Sequence, residues 1–234
     1  MSKNILFLDL DDTILDFHRS EDFALRKTLT ELHITPTDDM VALYSRINDE
    51  CWKKLEQGEM TREQVLTGRF ALFFREIGVE GDPDDTWHRY EGNIASTGFL
   101  LDGAIDLLEE LSQTYDLYAA SNGTATIQDR RIANAGIAPY FKEIFISQRI
   151  GFNKPDKRFF DLCFERIPDF DQSRAVMVGD SLTSDIKGGQ NAGLTTVWYN
   201  AHNKRADGGI TPDYEVTSLD MIPLVLEMIF TKSE

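Results

Sequence analysis

Asp9, Asp11, Asp12 and Thr13 stand at the end of the apolar run Ile5-Leu6-Phe7-Leu8. A short apolar run that closes in Asp-x-Asp-x-Thr reads as a buried strand carrying its carboxylates to one tip. On an extended chain, side chains two residues apart point the same way, so the spacing predicts Asp9 and Asp11 at one site and Asp12 facing away. Two carboxylates at one site repel unless a cation or a shared proton lies between them. The inferred partner is a hard divalent cation. The other reading of these residues is an acidic turn that merely starts a helix, because Asp and Thr favour turns and N-caps.

Three further polar clusters also follow apolar runs. Ser121-Asn122-Gly123 comes after Leu117-Tyr118-Ala119-Ala120, Lys154-Pro155 comes shortly after Glu143-Ile144-Phe145-Ile146-Ser147, and Gly179-Asp180 comes after Ala175-Val176-Met177-Val178. At a strand-to-helix turn, the Ser121 hydroxyl and the Asn122 N–H can hold an anion, or the segment can be a simple N-cap. A lysine is usually a solvated surface group, so the role of Lys154 depends on what it faces, and here it could compensate several acids. Asp180 leaves its strand as Asp9 does, and oxygen ligands from two strands suit Mg²⁺. Asp185 is either an acid in the first turn of a helix or the group that orients Lys154.

These clusters need a frame to bring them together, and the chain after Asp102 supplies one. Helices over 103–115, 126–135, 156–167, 184–192 and 219–230 alternate with the apolar runs and with Thr195-Thr196-Val197-Trp198-Tyr199. That alternation marks an α/β fold with a parallel sheet, in which the C-terminal strand ends share one edge and ligands bind where the strand order reverses. Residues 20–96 have a helical period instead, with helices expected from Ser20, over 38–57, over 61–77 and over 83–96. Residues 203–212 read as an exposed loop.

Composition narrows the partners. With 24 basic and 40 acidic residues, the net charge of -16 opposes nucleic-acid backbones and anionic membranes. A small phosphorylated substrate remains compatible, since one cation and one lysine act locally while distant charges are screened within about 10 Å. Cys51 and Cys163 lie in no disulfide or zinc pattern and read as buried, reduced thiols. No run approaches the length of a membrane span, and the expected location is cytoplasmic. Oligomeric state is not readable.

Asp9-Leu10-Asp11-Asp12-Thr13, Ser121-Asn122-Gly123, Lys154-Pro155-Asp156 with Phe159 and Phe160, and Gly179-Asp180 with Asp185 resemble, in order, the four motifs of the haloacid dehalogenase superfamily. The resemblance implies a Rossmann-like parallel-sheet core with an inserted all-helical cap domain, the core from 1–17 and 97–234 and the cap from 18–96. It implies a Mg²⁺-dependent phosphohydrolase in which Asp9 is the nucleophile and Asp11 the general acid and base. The Asp9 and Asp180 carboxylates and the Asp11 carbonyl hold the metal. Ser121, Asn122 and Lys154 hold the phosphoryl oxygens, Thr13 supports Asp11, and Asp185 stands behind Lys154. The superfamily's dehalogenases lack the second aspartate of the first motif, so Asp11 argues for phosphate chemistry. Asp102 departs from the proline common before Gly103, which bears on a helix start alone.

Residues 188–194 and 198–202 are further similar to the pyrimidine 5'-nucleotidases of that superfamily, which implies a nucleoside monophosphate as substrate. The alternatives are a phosphatase of sugar phosphates or other small phosphoesters, a phosphosugar mutase, and a non-catalytic phospholigand-binding protein. Tyr44, Trp52, Phe70, Phe73, Phe74 and Trp87 could stack a base, although their helical spacing is that of a packed core. His18, among polar neighbours, is expected to be exposed and to take no part in the chemistry.

Overall fold

The computed structural model describes residues 3–206 and 209–231. Its sheet is built from β1 (Asn4–Leu8), β2 (Tyr115–Ser121), β3 (Phe141–Ile146), β4 (Ala175–Gly179), β5 (Thr195–Tyr199) and β6 (Tyr214–Val216). The spatial order is β3-β2-β1-β4-β5-β6, and every pairing is parallel. The strand order reverses beside β1, so its tip lies at the crevice where such sheets bind ligands. β1 alternates by the two-residue period of a strand: Leu6 and Leu8 enter one apolar cluster, Ile5 and Phe7 the other. Burial on both faces explains its unbroken apolar run. Nothing in the sequence announces β6. It has three residues, an exposed Glu215 at its centre, and takes its form from pairing with β5.

Between β1 and β2 lie α1 (Phe17–Glu31), α2 (Asp38–Glu56), α3 (Arg62–Ile77) and α4 (Pro83–Ala95). α1 starts three residues before the expected Ser20. The Asp16 carboxylate accepts from Arg19 N at 2.8 Å and the Asp12 carboxylate from Phe17 N at 3.0 Å, so two acids satisfy the free amides of the first turn. Ser20 is wholly buried, and its hydroxyl donates to the Asp16 carbonyl at 2.8 Å. α3 opens with a capping box between Thr61 and Gln64 and stops at Gly78, whose φ of 67° is left-handed. The four helices share an apolar cluster that includes Tyr44, Phe70, Phe73, Phe74, Trp87 and Tyr90. The two chain segments joining them to the sheet run side by side, with Asp16 N bonded to Phe99 O at 3.0 Å and Leu101 N to Ile14 O at 3.0 Å.

Glu21 of α1 is buried in this layer, where its carboxylate accepts from Asn48 Nδ2 at 2.9 Å. Burial pushes its pKa up to about 7. An acid raised in this way keeps its proton in the fold at pH values where the unfolded chain, with a carboxyl pKa of about 4.3, has lost it. Its protonation therefore supports the fold fully below about pH 4.3, and that support is lost as pH rises through about 7. Glu21→Gln is expected to match the native protein in thermal midpoint at pH 4 and to exceed it at pH 8; a gap that does not widen between those two scans contradicts the assignment.

The remaining helices cover the sheet: α5 (Ala104–Thr114), α6 (Ala125–Ala135), α7 (Ser147–Ile150), α8 (Lys157–Phe164), α9 (Lys187–Asn191) and α10 (Met221–Thr231). The continuous helix expected over 184–192 is instead a wide π turn, Leu182–Ile186, followed by α9. Asp185 accepts from Ser181 N at 3.0 Å, and this bond draws the turn back toward the end of β4. Residues 203–206 are exposed as expected for a loop, while 207 and 208 lie outside the described residues. Among the described residues no helix is long and apolar enough to cross a membrane.

Candidate active site

Asp9 follows β1 directly and extends its ladder, its N–H bonded to Val178 O at 2.9 Å. That bond fixes the carboxylate at the sheet edge. Lys154 Nζ donates to Asp9 Oδ1 at 2.7 Å, to Asp185 Oδ1 at 2.6 Å and to the Ala120 carbonyl. The lysine is only 1% exposed, so it is an internal counter-ion and not a surface group. Burial works against its charge, but the carboxylates of Asp185 and Asp9 outweigh that and raise its pKa. Of the two readings of Asp185, the structure has it touching Lys154. Gly179 makes room for this contact, since a Cβ there would sit 2.3 Å from Asp185 Oδ2.

Asp11 does not join Asp9 and Lys154 through its side chain. Its carboxylate accepts from Gln128 Nε2 at 2.9 Å and from Arg131 Nη1, both on α6. Gln128 also donates to Ser121 Oγ at 2.9 Å, which ties the end of β2 to Asp11. The expectation that Asp12 faces away is corrected. Asp12 has a φ of 56°, so the two-residue alternation of a strand ends before it, and its carboxylate both caps α1 and lines the same cavity as Asp9 and Asp11. Asn122 does more than offer an N–H: its side chain bridges to Lys154, accepting from Lys154 N and donating to Lys154 O, both at 2.8 Å. Thr13 is fully buried and its hydroxyl has no hydrogen-bond partner, so no side-chain bond from it to Asp11 is present.

Asp9, Asp180 and Asp185 bring one oxygen each within 4.8 Å of one another. Desolvation, then repulsion from Asp185, pushes the Asp9 pKa well above the usual range, and Asp180 is raised by desolvation and by the charges of Asp185 and Asp9. A set made only of carboxylate oxygens, with more negative charge than Lys154 can offset, fits a hard divalent cation.

A family model for haloacid dehalogenase-like hydrolases matches residues 3–193. The chain belongs to that family. It is 42% identical to the HAD-hydrolase YfnB of Bacillus subtilis over 97% of both chains, and 39% identical to the pyrimidine 5'-nucleotidase PynA of Streptococcus pneumoniae, covering 93% of this chain and 92% of that one. The crystal structure of YfnB bound to magnesium superposes with a TM-score of 0.92 at 41% identity, covering 97% of this chain and 99% of that one.

In this haloacid dehalogenase-like hydrolase the carboxylates line a cavity of about 220 Å³ that is lined also by Trp52, Trp87, Arg69, Asn48 and Leu66 from α2, α3 and α4. Of the aromatic residues singled out by spacing, Tyr44, Phe70, Phe73 and Phe74 are core, while Trp52 and Trp87 reach the cavity wall. His18 is about half exposed, 3.5 Å from Asp12. Arg62 of α3 crosses to the sheet edge, donating to Ser147 Oγ at 2.6 Å, Asn153 Oδ1 at 2.7 Å and Asn122 O at 3.0 Å. Glu56 of α2 accepts from Thr183 Oγ1 at 2.7 Å. The motif pattern does not reach Gln128, Arg131, Arg62 or Arg69. The one signal in the chain is that Gln128 and Arg131 sit three residues apart on the helix after Ser121-Asn122-Gly123, and so share a face toward the first motif.

Proposed function

We propose that the protein is a Mg²⁺-dependent phosphatase of pyrimidine nucleoside 5'-monophosphates that works through an aspartyl-phosphate. One observation carries the reading: Asp9, Asp11, Ser121, Lys154 and Asp180 all line one cavity, which Trp52 and Trp87 line as well. A phosphate site continuous with an aromatic chamber suits a nucleotide, and the name of PynA supports the pyrimidine class. In this reading residues 18–96 act as a cap over a core formed by 1–17 and 97–234.

The Asp9 carboxylate attacks phosphorus in line, and the bond from phosphorus to the nucleoside oxygen breaks. Asp11, placed by Gln128 and Arg131, gives its proton to that leaving oxygen. It then takes a proton from the water that attacks the aspartyl-phosphate, releasing inorganic phosphate and restoring Asp9. The Ser121 hydroxyl, the Asn122 N–H and the Lys154 ammonium hold the peripheral oxygens and stabilise the charge spread over them in the transition state. Asp185 fixes Lys154 from behind. The carboxylates of Asp9 and Asp180 with the main-chain carbonyl of Asp11 would hold Mg²⁺, which when bound neutralises phosphoryl charge.

The test is phosphate release from UMP, dUMP, dTMP, purine nucleotides and sugar phosphates, before and after chelation. We expect the pyrimidine nucleotides to be preferred, EDTA to abolish turnover and Mg²⁺ to restore it. Equal rates on sugar phosphates would displace the substrate assignment. Rearranged products without phosphate release would displace the hydrolase chemistry in favour of a mutase.

A further inference from the structure

We propose that Arg69 is the base-reading residue of this site, donating to the O4 carbonyl of a uracil or thymine ring held between Trp52 and Trp87; the proposal rests on the nucleotide reading above. Among the described residues three cations are almost fully buried: Lys154, Arg131 and Arg69. Lys154 pairs with Asp9 and Asp185, and Arg131 with Asp11. Arg69, 3% exposed, has instead a neutral partner, Asn48 Oδ1, which its Nη1 reaches at 2.5 Å. Its Nε is buried with no hydrogen-bond partner. The carboxylate that acts on this charge, Glu21, is bonded to the same Asn48 and not to the guanidinium itself, and a buried guanidinium donor left bare is unfavourable.

The packing around Arg69 supports the cation without using up its donors. Its guanidinium centre lies 5.1 Å from the Tyr90 ring, 5.2 Å from that of Trp87 and 5.3 Å from that of Phe70, which is cation–π distance. Asn48 is fixed at both ends of its amide: Nδ2 donates to Glu21 Oε1 at 2.9 Å, while Oδ1 also accepts from Trp52 Nε1 at 3.1 Å. Asn48 thereby orients both the guanidinium and the indole that would flank a ring. Arg69 and Asn48 line the same cavity as Asp9.

A guanidinium only donates, so its ligand must accept. In a nucleotide with its phosphate at Asp9 and its ring attached through N1, the ring atom farthest from the sugar is C4. Uracil and thymine carry an oxygen there, whereas cytosine carries an amino group that would meet the guanidinium donor to donor. A site built on a buried donor discriminates strongly against a ligand that leaves it unpaired.

The experiment compares kcat/KM for UMP with that for ribose 5-phosphate, which has no base, in the native enzyme and in Arg69→Met. We expect the UMP to ribose 5-phosphate ratio to fall about 30-fold or more in the variant and to recover in part in Arg69→Lys. A purely structural arginine would lower both substrates together, and an unchanged ratio overturns the proposal. If Arg69→Met does not fold, the native enzyme decides: UMP preferred to CMP by about tenfold or more supports the reading, and equal use of the two overturns it. A native enzyme indifferent between UMP and ribose 5-phosphate overturns the nucleotide assignment itself and this proposal with it, a result distinguishable because it appears before any variant is compared.

Discussion

Asp9→Asn is expected to lower kcat by about 10⁴-fold or more while leaving the protein folded, because the substitution deletes a nucleophile and hardly changes a shape. Asp9 is buried, repelled by Asp185 and compensated by Lys154, so its charge is an expense to the fold and not a support. The amide keeps an oxygen that can accept from Lys154 Nζ, and the ladder bond from the residue 9 N–H to Val178 O is untouched. Thermal midpoint and activity should therefore part company. Steady-state phosphate release and a melting scan on the same preparation check this. Turnover within about tenfold of the native enzyme would remove Asp9 as the attacking group, since loss of a covalent nucleophile costs far more.

The contrast between what the chain shows as sequence and what it hides follows from where each interaction is encoded. Asp9, Ser121 and Asp180 stand at the ends of apolar runs and Lys154 in the loop that follows one, and a parallel sheet delivers such ends to one edge whatever the details of its helices. Local pattern was enough there. Asp12 escaped because the two-residue alternation holds only while the backbone is extended, and the left-handed φ at Asp12 breaks it. Arg131 and Gln128 escaped for another reason: each lies more than a hundred residues from Asp11, and a helical Arg or Gln has no local mark that separates a buried partner from a solvated one. The aromatic residues of 38–96 divide similarly. Tyr44 on α2 and Trp87 on α4 each follow a helical period and share a cluster, and only the packing of α2, α3 and α4 decides that Trp87 reaches the cavity while Tyr44 does not.

Lys154→Met should damage both fold and chemistry, and this separates it from the nucleophile variant. The ammonium is the shared partner of Asp9 and Asp185 at 2.7 and 2.6 Å, and all three residues are buried. Methionine fills much the same volume but leaves two carboxylates facing each other out of water. Breaking a buried pair by removing one partner costs about 3–5 kcal/mol. The sign with pH follows from the raised lysine pKa: the native contribution is complete below the unfolded lysine pKa of about 10.4 and is lost as pH rises through the higher folded value. The native protein thus carries this stabilisation across the neutral range. In the variant the carboxylates can be relieved only by taking up protons, so its deficit in thermal midpoint should be larger at pH 8 than at pH 5. Phosphate release should fall at the same time, since the group that holds a phosphoryl oxygen is gone. A variant with a native midpoint at pH 8 would mean that water, and not the ammonium, keeps Asp9 and Asp185 apart, and the closed, dry arrangement on which the proposed attack by Asp9 depends would have to be abandoned.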